Sequence, residues 1–156
     1  MDWLLDLVFN RFLVTGVSSW FVAQVIKTII HAIINKKLVL ERMVGDGGMP
    51  SCHSATVTSL AVISGLSFGF DSFQFAVTAL LAVIVCHDAM GVRLETGKQA
   101  QLLNEMVKAF EVWTKEELPE MKLKEFVGHT PIQVLAGMLI GIANGCFMHF
   151  VVFPLF

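Results

Sequence analysis

Charge is what this sequence has least of. Charged residues fill 15% of its 156 positions, against about 25% in ordinary soluble domains. The hydrophobic fraction is 55% and the mean hydropathy +0.71, which marks a membrane protein. A basic excess is also lacking, and a formal net charge of −2 argues against a nucleic-acid partner. Cysteine is sparse: Cys52, Cys86 and Cys146 form no CxxC pair, which speaks against a disulfide framework and for small apolar fillers. Asp2 and Asp6 stand where a basic n-region would be, so no cleavable signal peptide is expected. The length suits a single domain, 1–156.

What the chain does have is apolar runs, each near the ~20 residues a bilayer requires. They are read at about 12–35, 50–70, 72–92 and 128–153, after a short amphipathic lead-in whose Trp3 and Phe9 suit the membrane interface. The first run carries Gln24, Lys27 and His31 on one helical face. A lysine at that depth costs roughly 3 kcal/mol without a partner or water, so Lys27 is expected to face the bundle interior rather than snorkel toward Lys36 and Lys37. Ala61, Gly65 and Gly69 have the small-xxx-small spacing of close helix packing, and Asp71 is placed to cap the third run.

Three polar stretches interrupt this pattern. Gly47-Gly48-Met49-Pro50-Ser51-Cys52-His53-Ser54-Ala55 turns a charged loop into an apolar helix. Two glycines allow close approach of a ligand, and Pro50 suits a first helical turn. Ser51, His53 and Ser54 then gather hydroxyls, an imidazole and backbone N–H groups at a positive helix end, a phosphate-sized anion site. The third run ends in Cys86-His87-Asp88-Ala89-Met90-Gly91-Val92-Arg93, where a buried Asp88 needs Arg93 or a bound charge as partner. The last run opens with Gly128-His129-Thr130-Pro131-Ile132-Gln133, in which Thr130 caps, Pro131 starts the helix, and His129, Gln133, Gly137, Gly141 and Gly145 share one face.

Between the second and third of these stretches, 95–128 turns polar. Thr96 and Gln99 match a capping box, and Leu102, Leu103, Met106, Phe110 and Trp113 make an apolar stripe at helical spacing, up to a stop at Pro119. Such a helix packs on its own protein or lies on the membrane surface. Four spans put His53, Asp88, Arg93 and His129 on one membrane side, with Lys27 reaching toward it. Most basic residues collect there, and the positive-inside rule makes that side cytoplasmic.

The stretches GGMPSCHSA, DAMGVRLETGKQAQLLN and GHTPIQVLAG, with Gln24 to Lys27 upstream, resemble the divergent branch of the type-2 phosphatidic acid phosphatase and vanadium haloperoxidase superfamily over nearly the whole chain. The resemblance implies Lys27 and Arg93 as phosphate ligands, Ser51 and His53 as a PSxH pair whose histidine protonates the leaving group, and His129 as nucleophile. It has departures. Ile34 and Asn35 occupy the place of an Arg-Pro pair, Leu123 that of an arginine, Gln133 that of an acidic partner for the histidine, and Leu94 and Cys52 those of an arginine and a serine. Arg93, helped by Lys122 or Lys124, then has to supply the missing charge, and Asp88 compensates for the neutral Gln133.

The expected protein is an all-α integral-membrane bundle of about four transmembrane helices plus an amphipathic interfacial helix. Its expected activity is hydrolysis of a lipid phosphate monoester or pyrophosphate through a phosphohistidine, without metal or cofactor, at the cytoplasmic face. His129, His53, Asp88 and Gln133 are the catalytic candidates; Lys27, Ser51, Arg93, Gly48 and Ser54 are the phosphate-binding ones. A phospholipid or prenyl phosphate is the expected substrate, and Gly-rich faces are compatible with a homodimer. Three alternatives stand beside this: an anion-binding transporter or channel subunit, a metal-dependent hydrolase using Cys52, His53, His87, Asp88 or His129, and a vanadate haloperoxidase.

Overall fold

A computed structural model describes residues 2–36, 48–115, 123–125 and 127–155. Among these the chain is all-helical: α1 Asp2–Val8, α2 Arg11–Asn35, α3 Cys52–Phe68, α4 Phe73–Met90, α5 Val92–Thr114 and α6 Pro131–Phe147, which runs on through a π turn, Met148–Val152, and a short 3₁₀ turn, Phe153–Leu155. Three helical segments are long and apolar enough to cross a membrane: Arg11–Asn35, Phe73–Thr114 and Pro131–Leu155. Within the second, α4 supplies the apolar part, because α5 is a polar helix with a single apolar stripe. The apolar α3 is shorter. Its 17 residues rise about 25 Å, a little less than the ~30 Å hydrocarbon layer.

This short helix is the hub, packed against α2, α4 and α6 together. Between membrane helices no water is expelled, so close packing and hydrogen bonds between small residues take over from apolar burial. The buried residues of α3 are accordingly small, Cys52, Ser54, Ala55, Thr58, Ser59, Ala61, Ser64 and Gly65, with Ile63 the one large side chain among them, and the α6 face against it reads Gly137, Gly141 and Gly145. A Cβ on Gly137 would strike the Ser51 carbonyl and Ser54; one on Gly141 would meet the Ala55 carbonyl and Thr58; one on Gly145 would meet Val62. The glycine face foreseen in the last span is thus the seam with α3. On the other side Ser19 donates to the Ala55 carbonyl at 3.1 Å, and Asn144 of α6 donates to Ser18 Oγ at 3.0 Å.

Some boundaries differ from the sequence reading. Ser72, not Asp71, caps α4: its hydroxyl accepts from Phe75 N–H and donates to the Gly69 carbonyl, closing the turn from both sides. Gly65 makes room for the Phe70 and Phe75 rings of that turn rather than for a neighbouring helix, and Gly69 lies past the end of α3 as its cap. Pro50 precedes α3 and leaves the cap to Ser51. Thr96 and Gln99 form no capping box, because α5 starts directly after Gly91, and Thr96 is an interior residue whose hydroxyl bonds the Val92 carbonyl at 2.8 Å. That helix ends at Thr114, with Lys115 in the left-handed region; Pro119, the stop expected from the sequence, lies outside the described residues.

The apolar stripe of α5 faces outward. Leu102, Leu103, Met106, Phe110 and Trp113 are exposed, and the buried residues of this helix are Gly97, Ala100 and Asn104. The small, polar face packs on the protein. Gly97 admits the Glu125 and Val127 carbonyls, and Asn104 clamps the returning chain by donating to the Leu123 carbonyl at 2.9 Å and accepting from Leu123 N–H at 3.0 Å.

The glycine seam gives the first prediction. Gly141→Val drives methyl groups into the α3 backbone and lowers the unfolding midpoint of the purified protein in detergent, by an overpacking cost of about 1–3 kcal/mol or more. Ala143→Val, at an exposed position of the same helix, leaves the midpoint essentially unchanged.

Candidate functional site

The three polar stretches meet at one end of the bundle. Two backbone hydrogen bonds join them: Ser51 N–H donates to the Gln133 carbonyl at 3.0 Å, and His129 N–H donates to the Ala89 carbonyl at 2.9 Å. The start of α3 is thereby fixed to the start of α6, and His129, two residues before α6, to the end of α4. Gly128 makes the last approach possible. It has φ +83, and a Cβ there would collide with the backbone of Arg93 and Leu94. Beneath these contacts Cys86, Ala89 and Val134 form a small apolar cluster packed by Val57, Met90 and Met138.

The resulting cavity of about 350 Å³ is lined on its polar side by His53, Asp88, Arg93, Lys124 and His129. Ile84, Val85, Ala89 and Val127 form its apolar wall. Four expected site residues from three separate stretches therefore share one cavity, joined by Lys124, which the sequence offered only as a helper. Lys122 lies outside the described residues. A neighbouring cavity of about 340 Å³ contains Gly48, Thr130 and Gln133 and shares Val127 and Gly128 with the first.

His129 is buried, and its ring is held from behind. Gln133 Oε1 accepts from Thr130 N–H at 3.1 Å, which fixes which end of the amide is oxygen, and the same oxygen lies 3.3 Å from His129 Nδ1. An acceptor at Nδ1 places the ring proton on that nitrogen and the lone pair on Nε2. Thr130 and Pro131 make the helix start foreseen in the sequence, and Gln133, bonded to Thr130 N–H, is both part of that start and the mount for the histidine.

Asp88 and Arg93 bond across the break at Gly91, Arg93 Nε to Asp88 Oδ2 at 2.6 Å. The pair is not buried as the sequence suggested: the side chains are 40% and 57% exposed, so water shares the cost of their charges. Lys27 is buried, as its depth predicts, and among the described residues its hydrogen-bond partner is Cys52 Sγ at 3.7 Å. Gly48 lies over its stem, with Lys27 Cγ 3.8 Å from the Cβ an alanine would carry.

Ser51 and Ser54 are fully buried and do not line the cavity. Their hydroxyls are used within the helix start: Ser51 Oγ accepts from Ser54 N–H at 3.3 Å and from Ser54 Oγ at 2.9 Å. Sequence reasoning passed over Asn104 and Gly97, which hold the segment bearing Lys124 and leading to His129 against α5. Their signal was the small, polar stripe Gly97, Ala100, Asn104 opposite the apolar one.

The sequence signature of the Divergent PAP2 family matches residues 8–144. An uncharacterized membrane protein of Bacillus subtilis (strain 168), YuiD, is 41% identical over 147 residues, covering 88% of this chain and 93% of its own. No solved structure matches. The matched region runs from the end of α1 to Asn144 and includes every residue of the cavity, and on that ground the chain belongs to the Divergent PAP2 family.

Proposed function

We propose that this integral-membrane protein is a metal-independent phosphatase of lipid phosphate monoesters or pyrophosphates, working through a phosphohistidine at the cytoplasmic face. The observation that carries this reading is one cavity holding two histidines from separate helix starts beside Arg93, Lys124 and Asp88, with an apolar wall.

Phosphoryl transfer needs cations around the phosphate oxygens, a nucleophile in line on one side and an acid on the other. Arg93 and Lys124 supply charge in the cavity, and Lys27 adds buried charge behind His53. Ser51, Ser54 and Gly48 shape the helix start that presents this histidine. Nε2 of His129 attacks phosphorus: the N–P bond forms as the P–O bond to the leaving group breaks. His53 passes a proton to the departing alkoxide. Water, giving a proton to His53, then attacks phosphorus, and the N–P bond breaks to release phosphate and restore both rings. Gln133 keeps the proton of His129 on Nδ1 throughout. Asp88 neutralises Arg93 until a substrate phosphate competes for it. The apolar wall of Ile84, Val85 and Ala89 suits the chain of an amphiphile such as a phospholipid or prenyl phosphate. Among the described residues no three His, Cys, Asp or Glu side chains converge as a metal site needs.

Release of inorganic phosphate by purified protein in detergent is the direct test; liposome uptake of an anion without hydrolysis favours transport instead. His129→Ala removes turnover of every substrate and the phosphohistidine trapped by acid-free quenching. His53→Ala loses about 10²–10⁴-fold toward alkyl phosphates and much less toward p-nitrophenyl phosphate, whose leaving group is stable as an anion. Equal losses in both variants on both substrates refute this division of roles.

Vanadate inhibits competitively while chelators leave activity intact. Arg93→Ala weakens vanadate inhibition about tenfold to a hundredfold, as loss of a charge-assisted contact does. Activity lost on chelation and restored by zinc or magnesium establishes the metal-dependent alternative.

The cytoplasmic assignment is read by labelling. Single cysteines placed between Asn35 and Gly48 react in intact cells with membrane-permeant reagents and not with impermeant ones; impermeant labelling reverses the orientation.

A further inference from the structure

We infer that Cys52 is a positioning residue for the histidine acid: its sulfur holds Nδ1 of His53 so that the ring keeps a proton on Nε2. This rests on the phosphatase reading for its consequence in turnover, but not for its geometry. Cys52 is buried, 3% exposed, and its Sγ lies 3.9 Å from His53 Nδ1 and 3.7 Å from Lys27 Nζ, a chain of two sulfur hydrogen bonds ending at the cavity that His53 lines. Lys27 has an obvious competitor for its ammonium. Gln24 stands one turn earlier on the same face of α2, and its buried Oε1 has no partner among the described residues. The ammonium is nonetheless turned to sulfur.

An ammonium has N–H groups only to give, so Sγ accepts from Lys27. Toward His53 the arrangement we assign is a thiol that donates S–H to Nδ1, so that the neutral ring carries its one proton on Nε2, which is what donation to a leaving alkoxide requires. A sulfur that instead accepted from Nδ1–H would leave the lone pair on Nε2, and a wild-type ring reporting Nδ1–H overturns the assignment. His129 is set the opposite way, since an amide oxygen at its Nδ1 leaves the lone pair on Nε2. The two histidines are assigned opposite tautomers by what stands at Nδ1, a sulfur that can donate or an oxygen that accepts.

The test uses the full chain in detergent micelles with ¹⁵N-labelled histidine. In the wild type the ring nitrogens of His53 report Nε2–H. Cys52→Ser keeps that pattern, because a hydroxyl also donates to Nδ1, whereas Cys52→Ala gives a mixture of tautomers; unshifted His129 signals show that each variant is folded. An unchanged His53 pattern in Cys52→Ala overturns the inference. In turnover, Cys52→Ala loses about tenfold or more toward an alkyl phosphate and less than about threefold toward p-nitrophenyl phosphate, and Cys52→Ser restores most of the loss. Equal losses on the two substrates show that the sulfur only fills space and likewise overturn it. If the wild type hydrolyses no phosphate ester, it is the phosphatase reading that fails, and the ring spectra still decide what Cys52 does to His53.

Discussion

Everything at the polar end of this bundle depends on two backbone hydrogen bonds, Ser51 N–H to the Gln133 carbonyl and His129 N–H to the Ala89 carbonyl. Helix ends leave N–H and C=O groups unpaired, and next to a bilayer there is little water to satisfy them. Here the Ser51 N–H at the start of α3 and the Ala89 carbonyl at the end of α4, two such spare groups, find partners on the neighbouring segment. The same bonds that remove the cost of exposed backbone polarity therefore fix the spacing between the stretches carrying His53, His129 and Asp88. Such bonds need backbones close enough to touch, which is what Gly137 on α6 and Gly128 before it permit.

The interior of the bundle follows the same logic. Thr15, Ser19, Ser54, Ser59 and Ser64 are buried, most with a hydroxyl bonded to a carbonyl of their own helix or the next. A soluble domain would fill these positions with leucine and valine. In lipid the large apolar side chains gain nothing by facing inward, and they go outward, as Phe73, Val83, Ile132 and Leu139 do. Helix α5 extends the pattern past α4, with its small face inward and its aromatic and aliphatic stripe outward.

What the sequence made legible was whatever a short stretch decides by itself. The spans were readable because bilayer thickness is a length requirement. The start of α6 was readable because Thr130, Pro131 and Gln133 act within one turn. Exact boundaries were not: whether Asp71 or Ser72 caps α4, and whether Pro50 stands inside α3 or just before it, depend on how the preceding turn is closed, and that rests on Gly69 and on Gln133. The capping box at Thr96 failed because its pattern says nothing about whether a helix has already begun. Asn104 could be read as part of a small, polar stripe, but its partners could not: they are the backbone groups of Leu123, and no local pattern encodes a contact across 19 residues. The gathering of His53, Asp88, Arg93 and His129 was foreseeable only as a shared membrane side; their common cavity required the fold.

The short hub helix also sets a depth. Lys27 touches Cys52 at the first residue of α3, yet α2 continues to Asn35, about 12 Å farther along its axis at 1.5 Å per residue. The helix start that carries His53 to the cavity thus lies well short of the end of α2, level with Lys27 rather than with Asn35. A helix that begins about two turns below the end of its neighbour has become the vertical dimension of the site.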